Sequence, residues 1–235
     1  MRLLSYLSPG FPEELFEKLA AVIDAEVHFE TEFSGPAPGH DPFKTSEVDL
    51  GWICATSFVD LTSREPEPSV QLVGVAWVPD DPDANGRPVY FGDLVGDPSS
   101  DITSLEGLAG ARIGCNDRVS LSGYYALRHA LAERGCDPDD FAELVFTGGH
   151  HRSLDLLLEG ELDAAVIDSI VRTGRARLDP AVANLRIIDR LGPWPVQPLV
   201  ARTSLTQSEV DQIRTLLLEA SPRPDVQQQL LSLIH

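Results

Sequence analysis

The chain has 235 residues, 43% of them hydrophobic and 23% charged, the composition of a folded globular protein and not of a disordered or fibrous one. Its formal net charge of −19 argues against nucleic acid as a partner, because a phosphate backbone is held by concentrated Lys and Arg. Any anion site must therefore be built locally against an unfavourable overall field, from helix N-termini and backbone amides.

In chain order, Arg2 to Leu7 reads as a short strand, and the Ser8-Pro9-Gly10 turn leads into a helix that begins around Pro12-Glu13-Glu14. Acidic residues suit a helix's first turn, and Leu15, Phe16, Leu19, Ala20 and Ile23 recur at three-and-four spacing as one buried stripe. Val27 to Phe33 alternates as a strand, and Ser34 to Pro42 is a Gly- and Pro-rich loop. Val48 to Cys54 and Val70 to Val78 are apolar runs suited to buried strands, the second followed by the loop Pro79 to Pro88.

Beyond that loop, strands are predicted at Val89–Val95, Arg112–Cys115, Leu144–Phe146, Ala164–Ile167 and Leu185–Ile188. Between them fall a helical turn at Ser104–Leu108 and helices at Gly123–Arg134 and His151–Glu159. Leu191 to Pro198 reads as a Pro-rich return, Ser208–Ala220 as an amphipathic helix and Gln227–Ile234 as a final one. Alternating strands and helices imply a largely parallel sheet covered on both faces. The two Pro-rich crossings divide the chain into a lobe of residues 1–80 plus 194–235 and an inserted lobe of residues 81–193. Two crossings make a hinge, with a ligand cleft expected between the lobes.

Three segments carry the candidate chemistry. Arg112 to Tyr125 is a strand, a loop and a helix start, where Ser120, Ser122 and Gly123 bring hydroxyls and backbone N–H groups toward one point, unless a serine merely caps the helix. Thr147-Gly148-Gly149-His150 follows another strand, with glycines that admit close backbone approach and an imidazole that can donate. Gly160 to Asp168 is a turn and a buried strand that ends in Asp168, at the strand end that faces ligands in open sheets; its other reading is a cap for the next helix. His150 and His151 have no third ligand at metal spacing, so neither metal nor cofactor is expected.

These segments together resemble the phosphate, phosphite and phosphonate family of substrate-binding proteins of ABC importers. The resemblance rests on Val48-Asp49-Leu50-Gly51-Trp52, Leu108-Ala109-Gly110, Ser120-Leu121-Ser122-Gly123, Thr147-Gly148-Gly149-His150 and Gly160-Glu161-Leu162-Asp163, in that order. It implies an α/β, type II periplasmic-binding-protein-like fold with two lobes and mixed, mostly parallel sheets. Ligand contacts then fall on Ser120, Ser122, Gly123, His150 and Tyr90, with Asp168 a looser match, and Ser8 and Trp52 complete the candidate set. Phe58 stands where the family usually has a tyrosine, Val119 where a residue is often small or polar, and Trp194 adds a large aromatic. With Trp52 it would make an aromatic wall suited to an organic or planar group.

The resulting expectation is a solute-binding protein for a small anion, phosphonate-like or carboxylate, with an ABC permease as partner. Catalytic fingerprints are missing: there is no nucleophile elbow, P-loop or dinucleotide motif. Two other classes stay open. One is a lyase- or dehydratase-like cytoplasmic enzyme on the same bilobal fold, as in the futalosine route to menaquinone, with Asp168, His150 or Ser120 as acid, base or orienting group. The other is a ligand sensor.

The opening residues are too short for a signal's apolar region, and no stretch approaches the roughly 20 apolar residues of a membrane span. Cys54, Cys115 and Cys136 are odd in number and lack paired spacing, which points to free thiols in a reducing compartment. The expected location is cytoplasmic as the sequence stands, and periplasmic or extracellular if a leader was trimmed, with no membrane insertion.

Overall fold

The computed structural model describes residues 1–7, 10–31, 35–36, 39–63 and 67–220. The expected helix at Gln227–Ile234 lies outside these. The chain divides into two units, the first made of residues up to Val78 and from Val196 onward, the second of Pro79–Pro195.

In unit 1, β1 (Arg2–Ser5), α1 (Glu13–Val22), β2 (Glu26–Phe29), β3 (Leu50–Trp52), α2 (Ala55–Ser63) and β4 (Val70–Leu72) are joined by β10 (Leu199–Arg202) and α8 (Gln207–Ala220) from the far end of the sequence. The sheet order is β2-β1-β3-β10-β4. Strands β2, β1 and β3 run parallel, while β10 is antiparallel to both β3 and β4. Side chains alternate across the pleat: Leu3, Leu50, Trp52 and Ala201 pack with α1 and α8, whereas Leu4, Ile53, Val70 and Val200 pack on the other face with Phe58 and Leu61 of α2.

Helix α2 is absent from the sequence reading because Ala55-Thr56-Ser57-Phe58-Val59-Asp60-Leu61-Thr62-Ser63 is rich in weak helix formers. The burial of Phe58 and Leu61 on the sheet decides its conformation.

Unit 2 contains β5 (Val89–Gly96), β6 (Arg112–Cys115), α3 (Ala126–Glu133), α4 (Pro138–Phe141), β7 (Glu143–Phe146), α5 (His150–Leu158), β8 (Ala164–Asp168), α6 (Ser169–Leu178), α7 (Pro180–Ala183) and β9 (Arg186–Pro195). Its sheet order is β7-β6-β8-β5-β9. The first three strands are parallel, and β5 is antiparallel to both β8 and β9. Leu94, Ile113, Cys115, Ala164 and Val166 face α3, while Val95, Ala165 and Ile167 face α5 and α7.

The Pro-rich return is thus strand as far as Pro195. Prolines are tolerated because β9 is an edge strand paired only with β5. The ladder also skips there: Tyr90 is opposite Trp194 and Gly92 opposite Leu191, so Gly192 and Pro193 bulge across from Phe91.

A charge network ties β5 and β9 to the segment that enters this unit. The carboxylate of Asp93, fully buried in β5, accepts from Arg172 Nε at 2.5 Å and from Arg190 Nε at 2.9 Å. Arg190 also reaches Asp81 and Asp83 and lies 4.3 Å over the Phe91 ring. Burial opposes its charge, but these carboxylates outweigh that and hold its pKa above the ordinary arginine value.

Candidate functional site

Strands β7, β6 and β8 lie side by side, all parallel, and each leads at its carboxyl end to a helix: α5, α3 and α6. Helix starts carry unpaired N–H groups and positive dipole ends, and the carboxyl edge of an open sheet is where ligands bind. The same edge holds most of the unit's buried polar side chains: Asn116, Asp117, Ser120, Ser122, His150, Asp168 and Ser169.

The α3 entry is widened. Residues Leu121–Tyr125 form a π-helical turn before α3, with Ser120 as its N-cap in extended conformation. Single π turns occur often at functional sites. The Ser120 hydroxyl accepts from the Gly123 amide at 3.1 Å, so it caps the helix. Ser122 is 2% exposed, and no hydrogen bond of its hydroxyl is found among the described residues. Of the two serines it is therefore the one with a side chain to spare.

Two glycines hold this turn against its neighbours. A Cβ on Gly123 would stand 1.9 Å from Asn116 Oδ1 and 2.9 Å from His150 Cε1, which places all three residues in contact. A Cβ on Gly92 would stand 2.5 Å from the Ser122 carbonyl oxygen, so only glycine lets β5 pass under the turn. Gly92, Asn116 and Asp117 belong to the edge but not to the expected set. A glycine inside a strand is itself a signal of close backbone approach.

His150 opens α5, whose N-cap Gly149 makes no side-chain cap bond. Strand β6 pairs with β8 only as far as Gly114–Ala165, and beyond that register the Asp168 amide donates to His150 Nδ1 at 3.4 Å. Burial, then the neighbouring His151, pushes the His150 pKa down to about 3, with only the Val166 carbonyl acting the other way. The imidazole is neutral at physiological pH and brings no positive charge to the edge. Burial, then Arg175, lowers His151 as well.

Asp168 caps α6, its Oδ1 accepting from the amides of Ile170 at 2.8 Å and Val171 at 3.4 Å. Asp117 accepts from the Val119 amide at 2.8 Å and from Asn116 Nδ2 at 3.0 Å. Tyr90 lies in β5 two residues before Gly92 and is 1% exposed.

Of the expected residues, Ser120, Ser122, Gly123, His150 and Asp168 thus meet at one edge of unit 2, with Tyr90 on the adjoining strand. Trp52 belongs to unit 1, where Trp77 stacks on it at 5.7 Å and 11° and Phe16 lies against it at 5.5 Å. Phe16 is a core residue, Trp77 is partly buried against the same core, and Trp52 is 4% exposed. Trp194 lies in unit 2, edge-on to His129 at 5.5 Å. The two tryptophans are in different units, each with its own aromatic partner. Ser8 lies outside the described residues.

A family model described as "ABC transporter, phosphonate, periplasmic substrate-binding protein" matches residues 12–234. The chain belongs to this family. It is a solute-binding protein, and its fold is shared with solved structures. A binding protein component of an ABC phosphonate transporter from Pseudomonas aeruginosa has a TM-score of 0.77 at 17% identity, covering 99% of this chain and 78% of that one. PhnD1 from Prochlorococcus marinus, solved with methylphosphonate, has a TM-score of 0.71 at 18% identity, with 99% and 89% covered. A Xanthomonas citri protein solved with ATP has a TM-score of 0.71 at 17% identity, with 100% and 88% covered. Among curated proteins no match is found. These likenesses establish the α/β type II periplasmic-binding-protein fold with its two mixed sheets. Among the described residues no helix is long and apolar enough to cross a membrane.

Proposed function

We propose that this solute-binding protein captures a phosphonate or a closely related phosphorus oxyanion on the helix starts at the carboxyl edge of unit 2. The observation that carries this reading is the set of three parallel strands that each open into a helix, with Ser122 and Gly123 on the middle one. Backbone amides and a hydroxyl then do the binding, without a metal and without a charged histidine. Two fold relatives, one solved with methylphosphonate and one with ATP, support the same class of ligand. Asp168 and Asp117 stand at the same edge, and a carboxylate there can accept from a ligand hydroxyl or amine.

The family further supports delivery to an ABC permease and a periplasmic place of work. It favours capture over elimination chemistry or sensing, since ligand binding is what its description names.

Calorimetric titration with methylphosphonate tests the site. Ser122→Ala is expected to weaken binding by about 1–3 kcal/mol, the cost of leaving an anion oxygen without its donor. Unchanged affinity in that variant would remove Ser122 from the site. No heat with the native chain would remove the phosphonate class.

A further inference from the structure

Next in sequence to the Ser120–Gly123 turn lies a cluster of aromatic and basic residues to which the proposed function gives no role. Arg118, in the loop between β6 and the turn, is exposed and holds its guanidinium carbon 3.9 Å above the centre of the Phe146 ring. Phe146, the last residue of β7, meets Tyr124 edge-on at 5.3 Å, and Tyr124 meets Tyr125 at 5.2 Å. Tyr125 is 43% exposed. Tyr124 and Tyr125 belong to the π turn that starts just after Ser120, so patch and turn are continuous along the chain.

Arg118 places a positive charge two residues before Ser120. In a chain of net charge −19, no ion pair of its guanidinium is found among the described residues. One face of this planar cation rests on Phe146, and the residue as a whole is exposed. A guanidinium stacked on a ring makes a flat plate, and it attracts both the π face of an aromatic and negative charge.

We infer that Arg118, backed by Phe146 and flanked by Tyr124 and Tyr125, forms a subsite for an aromatic or heteroaromatic substituent on the anion held at the turn. This rests on the phosphonate reading above and narrows it to aryl-bearing members of the class. The helix starts take the oxyanion, and the plate takes the ring.

The test compares phenylphosphonate with methylphosphonate by calorimetry on the native chain, Arg118→Ala and Arg118→Lys. The native chain is expected to prefer the phenyl compound by about fivefold, a typical gain for a cation–aromatic contact near the surface. In Arg118→Ala the preference falls toward unity. It falls in Arg118→Lys too, because lysine keeps the charge but not the plane. Binding of methylphosphonate with no phenyl preference overturns the subsite while leaving the anion site intact. A preference that survives in either variant also overturns it. Failure of both compounds to bind the native chain overturns subsite and phosphonate reading together.

Discussion

The two sheets are built to one pattern and filled differently. In each, three parallel strands are followed by two antiparallel pairings, β2-β1-β3-β10-β4 in unit 1 and β7-β6-β8-β5-β9 in unit 2. In each, the antiparallel inner strand is the first to follow a crossing from the other unit: β5 after Val78 and β10 after Pro195. Yet β3 ends in Trp52, sandwiched among Trp77 and Phe16, while β6 and β8 end among Asn116, Ser120, Ser122, His150 and Asp168. Topology supplies a carboxyl edge twice over, and buried polar side chains gather at the edge of unit 2, while unit 1 has Ser5, Ser57 and Gln197.

The sharpest way to break this contrast is Trp52→Ala. As a core aromatic, its loss is expected to cost about 3–5 kcal/mol of stability, read from urea unfolding followed by far-UV circular dichroism. A variant that keeps its urea midpoint but loses methylphosphonate affinity would make Trp52 a ligand residue and erase the distinction.

A second test uses acid. His150 has an ordinary value of 6.5 and is held at about 3 in the fold, so the unfolded chain takes up a proton that the folded one refuses. Its contribution is fully present above pH 6.5 and is lost as pH falls toward 3, with a slope of about 1.4 kcal/mol per pH unit. The unfolding free energy from urea titrations should fall as pH is lowered across that window. His150→Asn, which keeps an acceptor for the Asp168 amide, should flatten it, and an unchanged slope in that variant would mean that His150 is solvated in the fold.

The smallest expected effect is that of Asp168→Ala. Loss of the α6 cap should lower stability by about 1 kcal/mol, again by urea midpoint. A loss several times larger would point to a wider role for that carboxylate in holding the edge together.

Much of this was legible in the residues. Strand β6 falls at Arg112–Cys115 as its apolar run suggests, and the start of α3 shows itself in Ser120-Leu121-Ser122-Gly123. The cap role of Asp168 was one of its two readings, because Asp at a helix entry has few other local options. The extent of helix α6 was not legible: Arg172, Thr173, Gly174, Arg175 and Arg177 leave only a thin apolar stripe. Nor was the strand through Gly192-Pro193, since nothing local says that β9 will be an edge. The fate of Trp52 depends on which rings cover it, and Trp77 is 25 positions away. The neutrality of His150 likewise follows from burial against β8, which its loop sequence does not disclose.

One architectural detail bears on how the molecule is made. Unit 2 is a single uninterrupted stretch, whereas unit 1 waits for β10, the strand that bridges β3 and β4. On a ribosome, the inserted half can finish its sheet while the N-terminal half still has a gap between β3 and β4. During that interval β3 is paired on one side only, by β1, and β4 has no partner strand. Synthesis therefore completes the inserted half first and leaves the N-terminal half to close last, with the arrival of Leu199–Arg202.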